Sequence, residues 1–255
     1  IAEGLAGSEE AFAVEMTRRA ADLGLSGSTF RNATGWPDVD HLMTAHDLAR
    51  IAQLTIKNYP QYYHYYSERI FTYNGIRQGN RNPLLYRDIA ADGLKTGHTN
   101  ASGYGLTASA TRANRRLILV LNGMPSINAR SQESERLLEW GFRKFNNYSL
   151  FRAGETVADA EIWLGTQKTI PLVIEQELIV TLPRKSRSDM KVSVRYEGPI
   201  PAPLKEGTPV AMLVITAPNT DTIEIPLIAG SNVEQLGLFG RLGAALKAIL
   251  WGLAT

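Results

Sequence analysis

The stretch Asp92-Gly93-Leu94-Lys95-Thr96-Gly97-His98-Thr99, with the run Gly103 to Thr111 close behind it, decides how this chain is read. In the second run Tyr104, Leu106, Ala108 and Ala110 alternate with small or polar residues, the period-2 pattern of a half-buried strand. The apolar run Leu117 to Leu121 supplies another strand, and Ala113-Asn114 between them marks a turn, so an antiparallel hairpin is expected. Lys95-Thr96-Gly97 lies immediately before this strand region, and the tripeptide alone reads either as a solvated turn or as an edge strand beside a site. Its residues have complementary uses there: Lys95 supplies positive potential, Thr96 a hydroxyl for a carboxylate, and Gly97 room for close backbone approach.

Helical signals lie upstream. Ser8 is an N-cap ahead of Glu9 and Glu10, and Phe12, Met16, Ala20 and Leu23 share one face of a helix that Gly24 stops. A second helix starts at Thr44, with Asp47 three residues on and Leu48, Ile51 and Ala52 facing inward, and it ends before Pro60. Gly24 to Asp40 between them reads as loop. Downstream of the hairpin, Ser131 to Phe145 carries Leu137, Leu138, Trp140, Gly141 and Phe142 at helical spacing.

After about Asn147 helical periodicity gives way to short β-rich runs punctuated by Gly and Pro. Leu172 to Leu182, Lys191 to Tyr196, Val210 to Thr216 and Thr222 to Leu227 are the expected strands of a small β-sandwich or barrel. Three segments follow: an α+β part over 1–147, a β-rich domain over 148–233 and a tail over 234–255. In the tail Leu242, Leu246, Ile249 and Leu253 form an apolar stripe, with Leu238, Phe239, Leu250 and Trp251 beside it and Arg241 and Lys247 interrupting it. Four glycines weaken this helix, so it is expected to need a surface, and an interfacial membrane anchor is the leading choice over packing on its own protein.

Composition narrows the function classes. With 255 residues, 44% hydrophobic and 20% charged, the chain has the make-up of a globular protein of one or two domains. The formal charge of +2 gives no dedicated nucleic-acid surface. The absence of cysteine excludes thiolate zinc sites, cysteine nucleophiles and disulfides. His41 and His46 are off the i, i+4 spacing of helical ligand pairs and His64 has no sequence partner, so neither metal nor cofactor is expected. No apolar run reaches the roughly 20 residues of a membrane span, so any membrane contact is expected to be peripheral. The start at Ile1, with no initiator Met and no signal-peptide pattern, reads as a processed or incomplete chain.

Lys-Thr-Gly is a recurring element of serine penicillin-recognising enzymes. Around it stand Asn74-Gly75-Ile76-Arg77-Gln78, Asn80-Arg81-Asn82, Asp92 to Thr99, Gly103-Tyr104 and Glu139-Trp140-Gly141-Phe142. In this order they resemble the D-alanyl-D-alanine carboxypeptidases of the penicillin-binding protein 5/6 type. The resemblance covers nearly the whole chain. It implies the later part of a penicillin-recognising, serine transpeptidase-like α/β (α+β) domain, then a small all-β sandwich domain, then an amphipathic anchor helix.

It also implies an activity: removal of the terminal D-Ala from peptidoglycan stem pentapeptides through an acyl-serine intermediate, with β-lactams trapping the serine. Lys95, Thr96, Gly97, His98, Arg130 and Arg81 are the site residues expected on this basis, Lys95 being catalytic and Thr96 and Arg130 first in line for the substrate carboxylate. The family's Ser-x-x-Lys and Ser-x-Asn lie upstream of the segment that resembles Ile1 onward. The copies here, Ser188-Asp189-Met190-Lys191 and Ser126-Ile127-Asn128, follow Lys-Thr-Gly and are read as chance. This chain alone is therefore expected to be inactive. The resemblance further implies a peripheral position on the periplasmic face of the bacterial inner membrane, held through Leu236 to Leu253, a part in cell-wall synthesis and cell shape, and room for cell-wall enzyme partners on the β domain. A non-enzymatic cell-wall scaffold derived from this family is the alternative reading. The tyrosine-rich stretch Tyr59 to Tyr66 is read as packing.

Overall fold

The structure is a computed structural model and describes residues 1–243. It divides into two compact units, Ile1–Arg143 and the chain from Lys144 onward.

The first unit opens with α1 (Ala2–Ala6) and α2 (Glu9–Asp22). Ser8 caps α2 as its spacing from the acidic first turn suggests, its hydroxyl accepting from Ala11 N at 3.1 Å. The buried face of α2 is Ala13 and Ala20, with Phe12 and Met16 half-buried. Leu23, expected on that face, is 45% exposed. The helix has already ended there: Leu23 is the C-cap and Gly24 turns the chain at φ +78°. Thr44 caps α3 (Ala45–Asn58) by accepting from Asp47 N at 3.0 Å. Asp47 itself is buried, accepting from Ser28 Oγ at 2.6 Å and Gly27 N at 3.0 Å, and so ties the preceding loop to the helix.

α4 (Pro60–Tyr63) leads into a two-stranded hairpin, β1 (Ile70–Tyr73) and β2 (Ile76–Gly79), around Asn74-Gly75. The sequence reading missed this hairpin, although both turn residues have positive φ and Asn-Gly is the preferred pair for such a turn. A 3-10 turn, Pro83–Tyr86, then delivers the chain to the central sheet, whose strand order is β3 (Ala91–Thr99), β4 (Gly103–Arg112), β5 (Arg115–Met124). All pairs are antiparallel, and the two-residue turn Ala113-Asn114 joins β4 to β5. β3 is an edge strand, with Lys95 opposite Thr107, Thr96 opposite Leu106 and His98 opposite Tyr104.

α5 (Ile127–Lys144) closes the unit. Its Leu138 and Phe142 pack with Leu84, Ile89, Leu106, Ala108 and Ala110 into one buried cluster. Gly141 permits that approach, because a Cβ there would stand 2.9 Å from Leu117 Cδ1. Ala52, Tyr63 and Leu94 form a second, smaller cluster, so Tyr63 of the tyrosine-rich stretch is packing, whereas Tyr59, Tyr62 and Tyr65 are exposed. The helix runs four residues further toward the N-terminus than Ser131. It also passes directly into a strand, which puts the unit boundary at Arg143 and Lys144 instead of Asn147.

The second unit comprises β6 (Phe145–Phe151), β7 (Thr156–Trp163), β8 (Thr169–Val173), β9 (Leu178–Pro183), β10 (Lys191–Arg195), β11 (Ile200–Pro201), β12 (Pro209–Thr216) and β13 (Ile223–Ala229). Six strands form one sheet in the order β10-β12-β13-β8-β7-β11, and β6 pairs with β9 in another. Ile170, Leu172, Leu213, Ile215 and Leu227 of the large sheet meet Leu178, Val180 and Leu182 of β9 in a single core, a small β-sandwich. The run Leu172 to Leu182 is not one strand. It breaks at 174–177, where Glu175 and Gln176 are exposed, and its halves join different sheets. Strands β6, β7 and β11 also went unread, β11 being only two residues long.

The tail turns helical over 238–243, with Leu238, Phe239 and Leu242 exposed. Leu246, Ile249, Leu250, Trp251 and Leu253 of the expected anchor lie outside the described residues. Among the described residues no helix is long and apolar enough to cross a membrane.

Candidate active site

A cavity of about 940 Å³ opens in the first unit, and Lys95, Thr96, Gly97, His98, Arg81 and Arg130 all line it. Three separate pieces of chain therefore bring the expected residues to one place. The edge strand β3 supplies Lys95 to His98, the segment after β2 supplies Arg81, and the first turns of α5 supply Arg130. Lys95 is exposed, and its Nζ donates to the Thr96 carbonyl oxygen. His98 is stacked on Tyr104 across the strand pair, ring centroids 3.9 Å apart and planes inclined by 29°. Gly97 has nothing within 4 Å of where a Cβ would sit, so a flat ligand can lie along the strand edge there.

Arg130 differs from the other cations. It is 5% exposed, yet the only hydrogen bond of its side chain among the described residues is a long one, Nη1 to the Gly105 carbonyl oxygen at 3.5 Å. Its Nε is buried without a partner, and the guanidinium stands 5.8 Å over the Tyr104 ring. Burial pushes its pKa down from the ordinary arginine value. An arginine keeps its proton in any case, so the group is a largely desolvated cation with an unused donor at the wall of the cavity.

Several cavity residues were invisible to the sequence reading. Thr34 and Gly35 come from the loop before α3, and Asn122 from β5. Asn122 Oδ1 lies 2.6 Å from where a Cβ on Gly105 would be, so the carboxamide covers that glycine. Nothing in their local sequence marks them, because they reach the site through the turn of a loop and a cross-strand register. The two serine copies are elsewhere. Ser126 caps α5, accepting from Ala129 N at 3.1 Å, while Ser188 lies in the turn before β10, on which Lys191 is the first residue. Neither puts a serine and a lysine on one helical turn. Among the described residues no three His, Asp or Glu side chains converge as a metal site.

The site is thus an edge strand carrying Lys-Thr-Gly beside a buried, underused arginine, on an antiparallel sheet backed by a helix. The comparisons give the family. Residues 1–126 match the peptidase S11 family, described as D-alanyl-D-alanine carboxypeptidase, and residues 145–235 match the penicillin-binding protein 5 C-terminal domain. The crystal structure of penicillin binding protein 5 from Haemophilus influenzae superposes with a TM-score of 0.84 at 32% identity, over 92% of this chain and 69% of that one. The D-alanyl-D-alanine carboxypeptidase DacA of Haemophilus influenzae is 34% identical across 99% of this chain, and DacC of Escherichia coli is 36% identical across 95%. This chain belongs to the D-alanyl-D-alanine carboxypeptidase family of the penicillin-binding protein 5/6 type. It spans 65% and 61% of the length of those two relatives. Penicillin-binding protein D2 of Listeria monocytogenes, solved in an ampicillin-bound form, matches with a TM-score of 0.51 at 30% identity over 55% of this chain and 59% of that one.

Proposed function

We propose that the cavity receives the C-terminal carboxylate of a peptidoglycan stem peptide, and that the whole protein is a serine-type D-Ala-D-Ala carboxypeptidase. The observation that carries this reading is Arg130, a buried guanidinium on the cavity wall whose Nε has no partner. Such a group has lost its water without gaining a counter-charge, and a carboxylate satisfies it with charge-assisted hydrogen bonds. Lys95 adds a second cation and Thr96 a hydroxyl, while Arg81 and His98 line the same cavity and complete the anion-binding wall.

In the reaction a serine Oγ attacks the carbonyl carbon of the penultimate D-Ala. The C–N bond to the terminal D-Ala breaks, and its nitrogen leaves with a proton as the free amino group. Water then cleaves the acyl-serine ester. Residues of this chain bind and orient the leaving D-Ala and hold positive charge near the site of attack. Neither serine copy among the described residues has a lysine on its own helical turn, which supports the reading that the nucleophile lies outside residues 1–243 and that this chain alone does not turn over. β-Lactams carry a carboxylate beside a strained amide, so they use the same groups. The ampicillin-bound relative supports that reading.

The stem peptide and the amphipathic tail together favour a peripheral position on the periplasmic face of the inner membrane, with the β-sandwich free for cell-wall partners. Removing 236–255 then abolishes co-sedimentation with anionic vesicles, and unchanged co-sedimentation contradicts the anchor. The carboxylate reading is tested by NMR titration with acetyl-D-alanyl-D-alanine and its C-terminal amide. The acid moves the Thr96, His98 and Arg130 resonances and the amide does not; equal or absent shifts contradict it.

A further inference from the structure

Arg81 and the Lys95-Thr96-Gly97 strand face one cavity from different segments of the chain, and nothing in either segment alone fixes the distance between them. One side chain spans the gap. Asn82, 1% exposed, donates from Nδ2 to the Gly93 carbonyl oxygen at 2.8 Å, two residues before Lys95. Its Oδ1 accepts from Leu84 N at 3.1 Å, which caps the 3-10 turn, and its own N donates to Asn80 Oδ1 at 2.9 Å. Asn80 in turn donates from Nδ2 to the Glu68 carbonyl oxygen at 2.9 Å. Arg81 therefore stands between two clamped asparagines, one of which is bolted to β3.

A second cluster also constrains β3 at this point. A Cβ on Gly93 would meet Tyr63 Oη at 2.5 Å, and Asp92 accepts from both Tyr63 and Arg116. The strand cannot retreat from Asn82 without breaking that cluster, so the Asn82 to Gly93 hydrogen bond acts as a spacer between two rigid bodies.

We propose that Asn82 is a positioning residue whose carboxamide sets the separation between Arg81 and the Lys95-Thr96-Gly97 edge. It touches no substrate, and it acts through the two segments that do. The inference rests on the carboxylate reading above and adds to it the part that fixes its geometry. A merely local role is distinct in atoms: capping uses Oδ1 alone, whereas spacing uses Nδ2.

Two substitutions separate these roles in the 255-residue chain. Asn82→Ser keeps a capping oxygen and cannot reach Gly93. Asn82→Asp keeps the shape and the cap, and its carboxyl donates to Gly93 only when protonated, a form that burial favours. Positioning predicts that Asn82→Ser weakens acetyl-D-alanyl-D-alanine about tenfold, as displaced binding groups do, and shifts the Lys95 and Thr96 amide resonances. It also predicts that Asn82→Asp regains affinity relative to wild type as pH falls from about 8 to about 5, a recovery that capping cannot produce. Wild-type affinity in Asn82→Ser, with unmoved Lys95 and Thr96 resonances, overturns the inference while leaving the carboxylate site intact. A wild-type chain that fails to bind the dipeptide overturns the reading and the inference with it. Should Asn82→Ser unfold, the pH series on Asn82→Asp decides alone, and a flat series relative to wild type overturns the proposal.

Discussion

The Tyr63 hydroxyl donates to the Asp92 carboxylate at 3.0 Å, three residues before Lys95, and the Arg116 guanidinium closes the group by donating to the same oxygen at 2.8 Å. Tyr63 is largely buried, and that burial pushes its pKa up to about 12. The folded state therefore resists ionisation that the unfolded chain undergoes near the ordinary tyrosine value of about 10. The stabilisation from a neutral Tyr63 is complete below about pH 10 and is lost as pH rises through about 12. Melting temperature is expected to fall across that window, with Tyr63→Phe removing a share of the fall on the order of 2 kcal/mol. Identical alkaline profiles for the two proteins would contradict this.

Arg130 is held at a cost to stability. Arg130→Met is expected to leave the melting temperature unchanged or raised, because a buried cation with an unpartnered Nε is replaced by an unbranched apolar side chain. Affinity for acetyl-D-alanyl-D-alanine should meanwhile fall by about 10- to 100-fold, the worth of hydrogen bonds to a charged group. Thermal unfolding and the NMR titration, run on the same sample, separate the two effects. A large drop in stability would recast Arg130 as structural.

At the β4–β5 turn both central residues are left-handed, Ala113 at φ +46° and Asn114 at φ +60°. Alanine is strained there, so Ala113→Gly or Ala113→Asn should stabilise by about 0.5–1 kcal/mol and Ala113→Val should destabilise by more. Chemical denaturation midpoints check the order Asn or Gly above Ala above Val.

In the second unit Leu213 is fully buried between sheet neighbours. Leu213→Ala should cost about 2–5 kcal/mol, while Ile179→Ala on the exposed side of β9 should change stability by less than about 1 kcal/mol. Similar losses at both positions would mean that the sandwich core is misassigned.

How much of this could be read in advance follows from where the information lies. The Ser8 and Thr44 caps, the Ala113-Asn114 turn and the alternation through Ala110 are local, and each stands where the sequence puts it. Leu23 fails because the apolar periodicity runs one residue past Asp22, the last residue of the helix. The break inside Leu172 to Leu182 fails because an apolar run does not reveal that its halves belong to different sheets. At the site, Lys95 to His98 are marked by an ordered motif. Asn122 and Asn82 act through cross-strand register and one side-chain hydrogen bond, which no spacing in the sequence records.

Under the proposed function, residues 1–255 supply a carboxylate-binding wall and the acylated serine lies outside the described residues. Intact-mass spectrometry after incubation with benzylpenicillin, on residues 1–255 and on the product of the whole reading frame containing them, tests it most directly. The account predicts a covalent penicilloyl adduct on the longer product, none on residues 1–255, and loss of the adduct in the longer product when Arg130 is replaced by Gln. An adduct on residues 1–255, or on neither protein, would contradict it.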